Sequence, residues 1–306
     1  MNIKKSHRNK TICAPLTELE AYLSRVVDIS ELKAGNILTD KTINGDLFEV
    51  CALLPPKSVD LIIADPPYNL RKKFNGTTFT KKSGEEYEKY TRKWLSAIKP
   101  LLKDNGSIYV CCDWESSLII GRVLSESFCV RNRITWQREK GRGAKANWKN
   151  GCEDIWFATV SDEYTFNLDA VKVRKRVLAP YRENGRPKDW QEGENGNFRD
   201  TCPSNFWDDI TIPFWSMPGN TAHPTQKPEK LIAKLVLASS NEGDTVLDPF
   251  LGSGTTSVTA KKLGRHYLGI ELDRQYCAWA ELRLERADTD KRIQGYEDGI
   301  FKDRNM

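Results

Sequence analysis

Short apolar runs alternate with amphipathic stretches along most of the chain. Val59-Asp60-Leu61-Ile62-Ile63-Ala64 is rich in β-branched and aliphatic residues and is bounded by polar ones, which predicts a buried strand. The same reading predicts strands over Ser107 to Cys112, Arg131 to Trp136, Thr245 to Leu247 and Tyr267 to Glu271. Between them the apolar residues take helical spacing, over Leu47 to Leu54, Glu85 to Leu102, Ser116 to Ser127 and Thr256 to Leu263. A further helix opens at Pro228 and carries Leu231, Ile232, Leu235 and Val236; the last follows the N-cap Asp273. Lys103-Asp104-Asn105-Gly106 reads as a turn. Alternation of this kind predicts an α/β fold built on a mostly parallel sheet with helices on both faces.

The rhythm fails twice. Residues 1–32 form a basic N-terminal extension, helix-like from Leu16 to Val27, that offers no chemistry. Residues 137–222 open with the basic run Arg138, Lys140, Arg142, Lys145 and Lys149, continue through one helix or strand pair near Asp154 to Phe166, and end in a stretch rich in Gly, Asn, Pro and Trp. That span is too long for a connection inside a compact domain and predicts a functional insertion or small subdomain. Two regular parts remain, 33–136 and 223–306.

Composition narrows the picture modestly. A chain of 306 residues that is 39% apolar can bury the core of one large domain. A net charge of +5 fits a nucleic-acid partner and also fits many ordinary proteins. No run of 18 apolar residues occurs and the start is polar, so a cytoplasmic protein without membrane contact is expected. Eight cysteines with no C-x-x-C pair, beside three histidines, point to reduced thiols and no metal site.

Two polar strings carry the candidate chemistry. Asp65-Pro66-Pro67-Tyr68 follows the strand ending at Ala64, and Asp248-Pro249-Phe250-Leu251-Gly252-Ser253-Gly254-Thr255-Thr256 follows the strand at Thr245. Both should sit at carboxyl ends of strands, where open α/β sheets bind ligands. In the first, two prolines remove amide donors, so the Asp65 carboxylate and the Asp65 and Pro66 carbonyls form an edge of acceptors suited to an exocyclic amine, with the Tyr68 ring beside it. In the second, Gly252 and Gly254 allow close backbone approach to a ligand, and Glu271, 17 residues beyond Gly254, can accept ribose hydroxyls. Each string taken alone is also compatible with an ordinary turn.

Taken together, in this order, the strings resemble those of the β-class amino-methyltransferases of DNA, which use S-adenosylmethionine and carry D-P-P-Y ahead of F-x-G-x-G. Asn44-Gly45-Asp46, Ile134-Thr135-Trp136, His223 to Pro228 and Gly269-Ile270-Glu271 extend the likeness over most of the chain beyond the first 30 or so residues and the insertion. The resemblance implies a circularly permuted Rossmann-like methyltransferase sheet, with residues 33–136 as the catalytic half, 137–222 as a target-recognition insertion and 223–306 as the cofactor half. It implies that Asp65, Pro66, Pro67 and Tyr68 are catalytic. It places S-adenosylmethionine against Asp46, Asp65, Asp248, Phe250, Gly252, Ser253, Gly254, Thr255 and Glu271, with His223, Thr225 and Lys227 near its methionine end.

The implied reaction is direct in-line transfer of a methyl group to N6 of an adenine flipped out of double-stranded DNA. Arg71, Lys72 and Lys73 after the catalytic string, and Arg138, Lys140, Arg142, Lys145 and Lys149 in the insertion, are the expected DNA contacts. The alternatives are the same reaction on cytosine N4, transfer to a protein or RNA amine, and a nucleic-acid-binding protein without catalysis. A cognate restriction endonuclease and a homodimeric state stay open.

Overall fold

The apolar runs assemble into one nine-stranded sheet in the computed structural model, which describes residues 8–70, 72–74, 77–138, 146–178, 181–193, 196–217 and 219–304. Its strands are β1 (Val27–Asp28), β2 (Lys41–Asn44), β3 (Val59–Ala64), β4 (Leu102–Cys112), β5 (Cys129–Gln137), β6 (Cys152–Thr159), β7 (Phe206–Trp207), β8 (Thr245–Asp248) and β9 (His266–Glu271). They lie in the order β1-β2-β9-β8-β3-β4-β6-β5-β7, and every neighbouring pair is parallel except those made by β6.

Side chains alternate across the sheet with the period of two that a strand imposes. Ile62 and Ala64 point into one core with Trp94, Ile98, Ile120 and Leu124, from helices α1 (Leu47–Leu53), α2 (Gly84–Ile98) and α3 (Trp114–Ser125) on that face. Leu61 and Ile63 point into the other with Leu231, Leu235, Val258 and Leu284, from α4 (Glu229–Ser239), α5 (Thr255–Lys262) and α6 (Arg274–Thr289). The helix starts are set locally. Asp46 accepts from the Phe48 amide, Ser83 and Glu86 form a reciprocal capping box, and Asp273 accepts from the Gln275 and Tyr276 amides.

Three sequence expectations need correction. The turn at Lys103 to Gly106 lies inside β4: Leu102 pairs with Val59 and Ser107 with Leu61, so the residues between bulge from an otherwise continuous strand. The sheet does not stop at residue 136, because Cys152–Thr159 returns between β4 and β5 as its antiparallel strand and Phe206–Trp207 extends the far edge. The basic run before Cys152 hides this strand by interrupting the strand–helix rhythm. The N-terminal residues are not a free extension either, since Val27–Asp28 pairs with β2 and Ile12 and Leu19 pack on Tyr276 and Trp279.

The span expected as an insertion is also tied to the C-terminal residues. Val173–Arg176 pairs with Phe198–Thr201 on one side and with Ile300–Lys302 on the other, in a small separate sheet. Nearby, Asp209 lies 2.8 Å from Lys230 Nζ and 2.9 Å from Lys234 Nζ, all three side chains being buried. Burial pushes the Asp209 carboxyl up, but the two ammoniums overrule it and hold it below the usual aspartate range.

Candidate active site

β3 and β8 are adjacent and parallel, with Leu61 opposite Val246 and Ile62 opposite Leu247. Asp65 and Asp248, each at the carboxyl end of its strand, therefore flank one crevice, as an open parallel sheet requires of a ligand site.

The catalytic string is held in a buried polar network. Asp65 accepts from the Tyr68 hydroxyl at 2.9 Å and from Lys227 Nζ at 2.6 Å. Lys227 Nζ also lies 3.0 Å from the Tyr68 hydroxyl and 3.4 Å from Glu153 Oε2, and the Tyr68 hydroxyl lies 3.2 Å from that same Glu153 oxygen. The other Glu153 oxygen accepts from Arg138 Nη1. Two carboxylates thus face two cations, which is the condition under which buried charges are tolerated. Burial alone would lower the Lys227 pKa, yet Asp65 and Glu153 outweigh it and hold the ammonium well above the usual lysine range. Tyr68 is pushed far above the usual phenol range, first by burial and then by the two carboxylates, so it stays a hydrogen-bond donor. Behind the string, the Tyr87 hydroxyl donates to the Pro67 carbonyl at 3.2 Å.

The Gly-rich turn is equally constrained. Gly252 has φ +54°, and a Cβ there would lie 3.1 Å from His223 Nε2. Gly254 has φ +82°, and a Cβ there would lie 2.6 Å from the Ala280 Cβ, so the turn rests directly on α6. Glu271 accepts from the Gly252 amide at 2.8 Å and from the Asp273 amide at 2.8 Å. Arg283, buried on α6, donates to the Ser253 carbonyl at 2.7 Å and to Thr255 Oγ1 at 3.0 Å. Phe250 packs edge-on against Trp94.

The family model for DNA methylases matches residues 59–282, which contain both strings and the network between them. The chain belongs to the DNA methylase family. The methylase is 35% identical over 235 residues to the type II methyltransferase M.HpaI of Haemophilus parainfluenzae, covering 76% of this chain and 70% of that protein. It is 35% identical over 254 residues to the DNA adenine methyltransferase YhdJ of Escherichia coli K12, covering 80% and 82%. Among solved structures, the M1.HpyAVI–SAM complex superposes with a TM-score of 0.54 at 25% identity, over 79% of this chain and 98% of that one. The cytosine-N4-specific PvuII DNA methyltransferase superposes with a TM-score of 0.59 over 84% and 92%, at 18% identity, and so shares the fold.

In the methylase, Asp248 and Glu271 are both pushed up to about 7, chiefly by burial, and Asp65 and Glu271 add their charges against Asp248. A crevice walled by three carboxylates suits a ligand that brings hydroxyls and a positive charge. A nucleoside bearing a sulfonium has both, so these residues fit S-adenosylmethionine. Asp248, Phe250, Gly252, Ser253, Gly254, Thr255 and Glu271 would hold it, with the His223 ring against the turn.

Some expected site residues have other partners. Lys227, which the resemblance places near the methionine end of the cofactor, is bonded to the catalytic string. Asp46 spends its carboxylate on capping α1, although its neighbour Gly45 donates to the Glu271 carbonyl at 3.1 Å and so stands beside the crevice. Arg138, expected on DNA phosphate, is paired to buried Glu153. Lys149 is exposed, and Lys72 and Lys73 lie on a strand that pairs with Thr77–Phe79. Arg71, Lys140, Arg142 and Lys145 lie outside the described residues.

Three residues with clear roles in the site escaped the sequence reading: Glu153, Arg283 and Tyr87. Glu153 stands beside Asp154 ahead of the apolar run Ile155-Trp156-Phe157-Ala158, and nothing local singles it out from its neighbour. Among the described residues, no helix is long and apolar enough to cross a membrane.

Proposed function

We propose that this protein transfers the methyl group of S-adenosylmethionine to N6 of adenine in double-stranded DNA. The observation that carries the reading is the position of the Asp65 carboxylate, at the mouth of the strand next to the Gly-rich turn and fixed by Tyr68 and Lys227. The relationship to a DNA adenine methyltransferase across four fifths of the chain supports adenine as the target.

S-adenosylmethionine supplies an electrophilic methyl group on a sulfonium. The protein's task is then orientation. Adenine N6 is a weak nucleophile because its lone pair is delocalised into the ring; N–H bonds donated to Asp65 and to the Pro66 carbonyl favour tetrahedral nitrogen and aim that pair. The amine becomes acidic only as the new C–N bond forms, so Asp65 acts chiefly on developing charge. Lys227 Nζ sits at the hydroxyl end of Tyr68, 3.0 Å from its oxygen, which leaves the flat face of the ring as the surface on which the base stacks. A base inside a duplex cannot reach this depth, and flipping follows. The loop between β5 and β6 carries exposed Trp148 and Lys149 ahead of Glu153 and is our candidate for bracing the duplex. We place the reaction in the cytoplasm, where DNA and cofactor meet.

Long-read modification mapping of plasmid DNA from a methylation-deficient host expressing the chain, against an Asp65→Ala control, tests this. Modified adenine at one short motif, absent from the control, is the expected result and would name the site that any partner endonuclease must cut. Modified cytosine would keep the mechanism and move the target; unmodified DNA would overturn the reading.

A further inference from the structure

Lys227 is shared between two carboxylates on different strands. Its Nζ is 2.6 Å from Asp65 and 3.4 Å from Glu153, and the side chains of Lys227 and Glu153 are 8% and 6% exposed. The groups that face this ammonium are Asp65 and Tyr68 after β3, Cys111 on β4 and Glu153 on β6, with Arg138 behind Glu153. Arg138 takes one Glu153 oxygen and leaves Oε2 toward Lys227. Lys227 and Glu153 also line one cavity of about 110 Å3, together with Trp136, Arg138, His223 and Gln226.

This arrangement conflicts with the reaction as it stands. Positive charge builds on the target nitrogen during methyl transfer, and an ammonium seated on Asp65 both repels that charge and occupies the acceptor the amine needs. Expelling the ammonium to no partner would leave an uncompensated buried charge. Lysine, a compact ammonium on a flexible stem, can instead turn to a second carboxylate already in place.

We propose that Glu153 is a positioning residue for methyl transfer: it takes the Lys227 ammonium from Asp65 when the target amine arrives, so that Asp65 meets the amine unpaired. In the resting enzyme the Lys227–Asp65 contact keeps the catalytic carboxylate compensated. The inference rests on the adenine methyltransferase reading given above.

The test compares parent, Glu153→Gln and the double variant Glu153→Gln/Lys227→Met in single-turnover methylation of a duplex carrying the mapped motif. Cofactor affinity is followed by calorimetry with S-adenosylmethionine. In Glu153→Gln the ammonium has only Asp65 to pair with, so the transfer rate should fall by about 100-fold, the scale of misplacing a reacting group, while cofactor affinity holds. Removing the ammonium as well should return a large part of the rate, an outcome that a merely structural Glu153 does not predict. A parent-like rate in Glu153→Gln, a loss that the second substitution fails to recover, or loss of cofactor binding in Glu153→Gln would each overturn the proposal. A parent protein that leaves DNA unmethylated would instead overturn the functional reading on which it rests.

Discussion

Lys227 reaches Asp65 at 2.6 Å across 162 residues of sequence, and this single contact brings the segment from His223 to Pro228 over the catalytic string. The same segment sets His223 against Gly252, so one short stretch touches both halves of the site. The consequences can be tested one residue at a time.

Asp65→Ala removes the acceptor and leaves Lys227 with Glu153 as its counter-ion, so the protein should stay folded. Single-turnover methylation should drop by about 100-fold or more, with the cofactor dissociation constant little changed. Turnover near that of the parent would exclude Asp65 from the chemistry.

Gly252→Val and Gly254→Ala should separate binding from stability. A side chain at Gly252 meets His223 at a φ of +54°, in the wall of the cofactor crevice, so calorimetry should show cofactor affinity lost by an order of magnitude or more. A methyl at Gly254 collides with α6 at Ala280, and the expected cost is about 1–3 kcal/mol of overpacking, read as a lower urea midpoint. An unchanged affinity in the first variant would place the cofactor elsewhere.

Cofactor binding should strengthen as pH rises through 7. Asp248 and Glu271 both titrate at about 7, against ordinary values of 3.8 and 4.5, because burial disfavours their charged forms. The folded free enzyme therefore binds protons that the unfolded chain has already released. Their contribution to stability is fully present below about pH 4 and is lost as pH climbs toward and through 7. A cationic ligand favours the ionised carboxylates, so the rise in melting temperature on adding S-adenosylmethionine should be larger at pH 8 than at pH 6. Glu271→Gln should flatten that difference; a thermal shift independent of pH in the parent would contradict it.

Asp209→Asn strands two buried ammoniums at once. Lys230 and Lys234 then lack their carboxylate, and a loss of about 3–5 kcal/mol in denaturant titration is expected, the cost of breaking a buried ion pair from one side. Replacing Lys234 together with Asp209 by apolar residues should recover part of it.

Much of this protein is legible in its sequence, and for identifiable reasons. Runs such as Leu61 to Ala64, and capping residues such as Asp273, act through neighbours in sequence, so their strands and helix starts appear within a residue or two of where pattern places them. Both strings are local turns, and their chemistry follows from prolines and glycines that a reader can see. Glu153 was illegible as a site residue because its role depends on β6 returning antiparallel into the sheet after a polar loop, a pairing that no local spacing announces. The bonds of Lys227 to Asp65 and Glu153 are not legible either, since they depend on how the segment ahead of α4 crosses the ends of β3 and β6. Arg138 reads as a surface cation for the same reason: its partner lies 15 residues away, on β6.

The loop between β5 and β6 stands on two feet, Arg138 and Glu153, joined near their base by the Arg138 amide bonded to the Gly151 carbonyl at 2.6 Å. The root of this loop is therefore part of the reaction centre. Deleting Asp154 would turn Glu153 to the opposite face of the sheet and leave Lys227 with one carboxylate where it now has two. An engineer retargeting this enzyme has no freedom in the count of residues at the root of this loop.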